Sequence, residues 1–187
     1  MYADNTLTPK EAVRLCALGI LASSPHTYSG LANAVRHFVS RILGPSLDVL
    51  GTSVELLKYE GLIELVQDSD TNSGHNSDNS NDAEFAITDD GRRELHALLT
   101  SNVRTGATEL NKLIFALKFR FLHLLDPDDQ RAQADHLVEV SESELARLDD
   151  LRQHHATADG YFVKWLDHDI EMLESRLTWM TDFRDRL

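Results

Sequence analysis

Only one cysteine, Cys16, occurs in the 187 residues. A single thiol excludes an internal disulfide and fits a reducing compartment. Because Cys16 sits inside an apolar helical run, it reads as a buried structural thiol. No apolar stretch reaches the roughly 18 residues that a membrane span needs. The opening MYADNTLTPKEAV has no basic region followed by an apolar one, so no secretory leader is expected and the expected location is the cytoplasm. There is no phosphate-binding glycine loop and no GxSxG. Histidines such as His123, His136, His154, His155 and His168 lack cysteine partners and lack His-x₃-His or HExxH spacing. They are expected on helix surfaces, with no metal bound. Acidic residues are plentiful, but no spacing defines a catalytic pair. No catalytic residue, no cofactor and no enzymatic activity are therefore expected.

Positive charge is also scarce. The net charge is −13, which argues against a nucleic-acid partner if taken as a sum. Its distribution says otherwise. Residues 1–60 hold five basic side chains (Lys10, Arg14, Arg36, Arg41, Lys58) and five acidic ones. Residues 61–90 hold eight acids and no Lys or Arg. The remainder holds 13 basic against 18 acidic residues. The excess thus lies outside the first third of the chain.

What is present is a run from Tyr28 to Val66 with the grammar of a helix-turn-helix followed by a wing. Leu31, Val35 and Phe38/Val39 fall at helical spacing, and Ile42 closes that run. Gly44-Pro45 stops the helix, because proline disfavours the helical conformation in the residue before it. Ser46 is the expected N-cap of the next helix. Leu50, Val54 and Leu57 form its apolar set, and Gly61 is its left-handed C-terminal residue. Leu62, Ile63, Leu65 and Val66 then read as strand. Upstream, Thr8-Pro9-Lys10-Glu11 is a capping box with proline at the first helical position, opening a helix that runs to about Ser23. Ser24 to Tyr28 reads as a linker.

These stretches resemble the PadR family of transcription regulators, including its AphA-like members. Val54-Glu55-Leu56-Leu57-Lys58-Tyr59-Glu60-Gly61-Leu62-Ile63 is similar to the end of the family's recognition helix. Ala17-Leu18-Gly19-Ile20-Leu21 is similar to its first-helix run. Phe85-Ala86-Ile87-Thr88-Asp89-Asp90-Gly91-Arg92 looks like its second wing strand and following helix start. Trp165 to Met180 is similar to its last helix. The resemblance covers almost the whole chain. It implies a mainly α fold: a winged helix-turn-helix with a two-stranded β wing, plus a C-terminal helical, antiparallel coiled-coil-like dimerisation domain. Residues 1–106 are expected to form the DNA-binding domain and 107–187 the dimerisation domain.

Gln67 to Glu84 is almost free of apolar residues and rich in Ser, Asn and Asp, the composition of a solvated, self-repelling loop. A wing tip that meets phosphates usually carries Lys or Arg; this one carries Asp68, Asp70, Asp78 and Asp82. The run lacks the 12-residue loop with a terminal bidentate Glu that calcium requires. Thr88 caps a further helix, fading near Asn102. Three helices follow, at about 109–125, 127–155 and 158–186. The last carries one seam of Phe162, Leu166, Ile170, Leu173, Leu177 and Met180, and a second of Tyr161, Trp165, Met172, Trp179 and Phe183. Two seams exceed what one partner helix can cover, so one is expected to face the chain itself and the other a second subunit. The residues assigned to the dimer contact are Phe162, Trp165, Leu166, Ile170, Leu173, Leu177 and Met180.

The expected function is a homodimeric regulator, most simply a repressor, on double-stranded operator DNA of pseudo-palindromic sequence. Ser46, Thr52, Ser53 and Lys58 on the third helix are candidates for base reading. Thr27, Tyr28, Ser29, Arg36, Arg41 and Lys58 are candidates for positioning on phosphates. Asp48 and Glu55 oppose that reading, as does Gly51, where the family often has Tyr. These features motivate the alternative, a winged helix that has lost DNA binding and serves as a protein-interaction module. The resemblance further implies a small aromatic or phenolic effector, with Trp165, Trp179, Phe119 and Phe121 as candidate contacts. No membrane partner is expected.

Overall fold

The computed structural model describes residues 6–44, 53–66, 83–106, 108–157 and 159–187, without the side chains of Ser53 and Val54. Its first element is helix α1 (Pro9–Ser23), and the capping box forms as its residue types require. The Glu11 backbone N–H donates to Thr8 Oγ1 at 3.3 Å, and the Thr8 N–H donates back to Glu11 Oε2 at 2.6 Å. Helix α1 is buried on nearly every side and packs on each of the elements that follow it up to residue 121, apart from the two outer strands. That central position explains why its sequence is apolar beyond a single stripe.

Strand β1 (His26–Thr27) leads into α2 (Tyr28–Leu43), whose buried residues Leu31, Val35 and Val39 recur every fourth position. Helix α3 is described over Ser53–Tyr59, and strands β2 (Ile63–Leu65) and β3 (Glu84–Ile87) follow. The sheet order is β1-β3-β2, all antiparallel, with His26 opposite Phe85 and Leu65 opposite Phe85 on the other edge. Helix, strand, two helices and two strands make a winged helix-turn-helix. The wing is thus a three-stranded sheet rather than the expected two-stranded one. His26–Thr27, expected as linker, is too short to show a strand periodicity, and only its pairing with β3 makes it a strand.

Helices α4 (Asp89–Leu99), α5 (Glu109–Phe121), α6 (Pro127–His154) and α7 (Phe162–Arg184) complete the chain, with a 3₁₀ turn at Leu122–Leu124. Thr88, Thr108 and Asp126 cap α4, α5 and α6 by accepting from the backbone N–H three residues on. The expected boundary at 106/107 falls in a connection, but the core runs across it. Helix α5 packs on α1 and α2, so closely that a Cβ on Gly19 would lie 2.6 Å from the Phe121 ring. Leu137, Val138 and Val140 of α6 and Met180 of α7 belong to the same core, while Leu148, Leu166 and Ile170 form a separate cluster in the α6–α7 hairpin.

That packing corrects the assignment of the dimer contact. Leu166, Ile170 and Met180 are buried inside the chain, and Leu173 and Leu177 are partly buried against the same clusters. Their seam is covered by this chain's own helices because α6 lies antiparallel along it. Phe162 and Trp165 remain exposed, together with Tyr161, Met172 and Trp179. No helix among the described residues is long and apolar enough to cross a membrane.

Candidate nucleic-acid interface

The outward side of the winged helix is built by α2, α3 and the sheet. Helix α3 is held by its C-terminus. Gly61 adopts φ 72°, and the Leu62 N–H donates to the Leu57 carbonyl at 2.9 Å while the Gly61 N–H donates to Lys58 at 3.1 Å. This paired arrangement ends a helix on glycine and satisfies its last carbonyls. The chain then turns at once into β2. Thr88, capping α4, ties that turn down: its Oγ1 donates to the Gly61 carbonyl at 2.8 Å and accepts from the Gly91 N–H at 3.0 Å. Its N–H donates to the Leu62 carbonyl at 3.1 Å. Gly91 completes the lock, since a Cβ there would sit 2.1 Å from the Leu62 oxygen. Arg14 of α1 adds a polar clamp, reaching Glu60 at 2.8 Å and Glu94 at 3.0 Å. Motifs far apart in sequence therefore fix one thing, the direction of α3.

Helix α3 buries Leu57. At about 100° per residue, Glu55 and Tyr59 lie farthest from Leu57 and form the centre of the exposed face. Tyr59 is 91% exposed and Leu56 49%. Lys58 lies to one side, with Nζ 5.7 Å from the centroid of the Phe85 ring on β3. Of the expected base-reading residues, Ser46 and Thr52 lie outside the described residues, as does Gly51, and of Ser53 only the backbone is described. Tyr59 was absent from the expected set. The signal for it was the helical phase: Tyr59 is half a turn from the one buried leucine.

The N-terminus of α2 gathers three of the expected positioning residues. Thr27 Oγ1 accepts from the Gly30 N–H at 3.1 Å and lies 3.4 Å from Ser29 Oγ. Tyr28 and Ser29 are exposed. A helix start with free N–H groups and hydroxyls suits a phosphate oxygen. Arg36 and Arg41 are exposed farther along α2, Arg36 donating to Asn33 Oδ1 at 3.0 Å. The structure thus places the α2 residues on one helix and Lys58 on another, beside the wing.

A second feature is a cavity of about 540 Å³ between α5, α6 and α7, walled by Phe115, Phe119, Met172 and Trp179 and edged by Glu144 and Arg176. The Phe119 and Trp179 rings are 5.1 Å apart. Two expected effector contacts fall elsewhere. Phe121 is buried in the main core against Gly19, and Trp165 stacks on Phe162 at 5.9 Å near the start of α7. Among the described residues no group of three or more His, Cys, Asp or Glu side chains is placed to hold a metal ion.

Comparison with known proteins gives a consistent picture. A family model described as "Putative AphA-like transcriptional regulator" matches residues 2–184. None of the curated proteins matches. Among solved structures, the chain is similar to Bacillus subtilis PadR in complex with operator DNA. The identity is 17%, over 93% of this chain and 97% of that one, with a TM-score of 0.35.

Proposed function

The chain belongs to the AphA-like family of transcriptional regulators, and we propose that it is a homodimeric repressor of the cytoplasm that binds a pseudo-palindromic operator through its winged helix. Two copies of α3 would enter successive major grooves of double-stranded DNA. The observation that carries this reading is the lock formed by Gly61, Thr88 and Gly91, which holds α3 rigidly with an exposed outer face. In this reading Thr27, Tyr28, Ser29, Arg36 and Arg41 meet phosphates. Ser46, Thr52, Ser53 and Lys58 read bases, and Tyr59 joins them. The aromatic cavity between α5, α6 and α7 takes a small aromatic effector.

The test is binding of the purified chain to labelled DNA from its own upstream region, across a salt series, beside a scrambled duplex. Saturable, sequence-preferring binding that falls by about 0.9 in log K per log unit of salt for each phosphate neutralised is the expected result. No binding at low salt by a folded dimer, with and without aromatic ligands, rejects the proposal. It would favour a second reading, a winged helix that docks on protein. That reading draws on Glu55 at the centre of the outer face of α3, on exposed Leu56 beside it, and on the absence of Lys and Arg from residues 61–90.

A further inference from the structure

Large exposed apolar side chains among the described residues gather in two places. One is the winged part, with Tyr28, Leu56, Tyr59, Leu65 and Val66. The other is α7 and its approach, with Tyr161, Phe162, Trp165, Met172 and Trp179. Helix α6, the other arm of the hairpin, exposes none. Trp165, Met172 and Trp179 are seven residues apart, so at about 100° and about 1.5 Å per residue they lie within about 20° of one line and span about 21 Å. They are 54%, 55% and 51% exposed, whereas Leu166, Ile170 and Met180 on the other side are buried within the chain. A second apolar seam with a seven-residue repeat is what a coiled-coil partner covers.

Resting on the homodimer reading above, we propose that α7 pairs antiparallel with α7 of a second copy, about a twofold axis passing beside Met172. The stripe is self-complementary about that point. Trp165 and Trp179 are equidistant from Met172, so each Trp165 meets the partner's Trp179. By the same count Tyr161 meets the partner's Phe183.

Charge selects the antiparallel sense. Asp169 and Arg176 flank the stripe on one side, about 60° and 40° from its centre line. An antiparallel twofold axis keeps the side and inverts the height. Asp169 then lies within about 2 Å along the axis of the partner's Arg176, and symmetry repeats the pair. Lys164 and Asp182 both lie about 80° to the other side and meet across the axis within about 3 Å of height. In a parallel pair Asp169 and the partner's Arg176 are about 10 Å apart along the axis, and neither ion pair forms. Glu171, the like charge nearest the axis, points about 100° away from the stripe into solvent. Met172, Arg176 and Trp179 also wall the cavity, so the partner's Trp165 lies over its outer edge and a ligand there touches the dimer contact.

The test uses the full chain carrying Met172→Cys, with Glu174→Cys as control. Glu174 is exposed on the same helix but points about 160° away. Native Cys16 is fully buried and does not interfere. The expected result is a light-scattering mass near twice 21.1 kDa, with a covalent dimer on mild oxidation of the Met172→Cys chain and none for the control. A dimeric mass without selective cross-linking at 172 overturns this pairing and leaves the homodimer standing. A monomeric mass overturns both. Charge reversal gives a second arm. Asp169→Arg or Arg176→Asp alone raises the dimer Kd on the order of tenfold, since each removes two ion pairs and creates two repulsions. The double variant restores it, and a double variant no tighter than the singles overturns the ion pairing.

Discussion

Lys118 donates to Gln133 Oε1 at 2.7 Å, and both side chains are buried where α5 meets α6. The same ammonium donates to the Leu99 carbonyl at 2.5 Å and the Ser101 carbonyl at 2.7 Å, at the C-terminal end of α4. Its three protons therefore serve three acceptors from two elements, and all three acceptors are neutral. A cation at a helix C-terminus is favourable, and here it joins the winged part to the helix that carries α7.

Replacing Lys118 separates the hydrogen bonds from the packing. Lys118→Met keeps most of the volume but leaves the acceptors without their donor, and should cost about 1–3 kcal/mol. Lys118→Ala adds a cavity and should cost about 2 kcal/mol more. Urea unfolding of the three chains measures this. Equal stability of wild type and the alanine variant would sink it.

The pH dependence of the same site has a definite sign. Burial pushes the Lys118 ammonium down to about 7 from 10.5. Between those values the unfolded chain holds a proton on this amine that the folded chain has released. Stability contributed by the site therefore rises with pH from about 7 to about 10.5 and is least below pH 7. Relative to Lys118→Met, wild type should gain up to about 1.4 kcal/mol per pH unit over that window. Unfolding curves at pH 7, 8 and 9 check this, and a slope of the opposite sign would reject it.

Gly91→Ala reverses an ordinary rule. Alanine usually stabilises a helix over glycine by about 1 kcal/mol. Here the new Cβ would meet the Leu62 oxygen at 2.1 Å and Ile87 Cγ1 at 2.7 Å. The variant should lose about 2–3 kcal/mol, and DNA binding should weaken with it, because the turn that aims α3 must move. A melting temperature at or above that of wild type contradicts the lock.

Tyr59 and Leu57 are neighbours on α3 with opposite predictions. Tyr59→Ala removes a ring that is 91% exposed, so the melting temperature should stay near wild type while operator affinity drops roughly tenfold or more. Leu57→Ala empties a buried site and should cost about 2–5 kcal/mol. Melting curves beside DNA titrations distinguish the two, and unchanged affinity for a folded Tyr59→Ala removes Tyr59 from the interface.

Both tryptophans of the chain, Trp165 and Trp179, lie in the α7 stripe. Their emission should shift to the red on dilution through the dimer's dissociation constant, as both rings return to water. Charge reversal at Asp169 should move that transition to higher concentration. Emission constant over a dilution range in which light scattering records dissociation would place the contact elsewhere.

Local chemistry was legible in the sequence. The capping box at Thr8–Glu11, the caps at Thr88 and Asp126 and the glycine ending α3 each depend on residues within a few positions, so type and spacing determined them. The winged helix-turn-helix followed from the order of such signals, and the two seams of α7 from their periodicity. Three things only the tertiary structure decided, each because it depends on what lies opposite a residue rather than beside it. His26–Thr27 became a strand because Glu84–Phe85 pairs with it. The seam through Leu166, Ile170 and Met180 was taken by the chain itself, leaving the Trp165–Met172–Trp179 stripe open, because α6 packs along one side and not the other. Lys118 stands in an apolar helical stretch where a sequence shows only an exposed cation or a misfit; its burial follows from carbonyls brought to it by α4, 17 to 19 residues away along the chain.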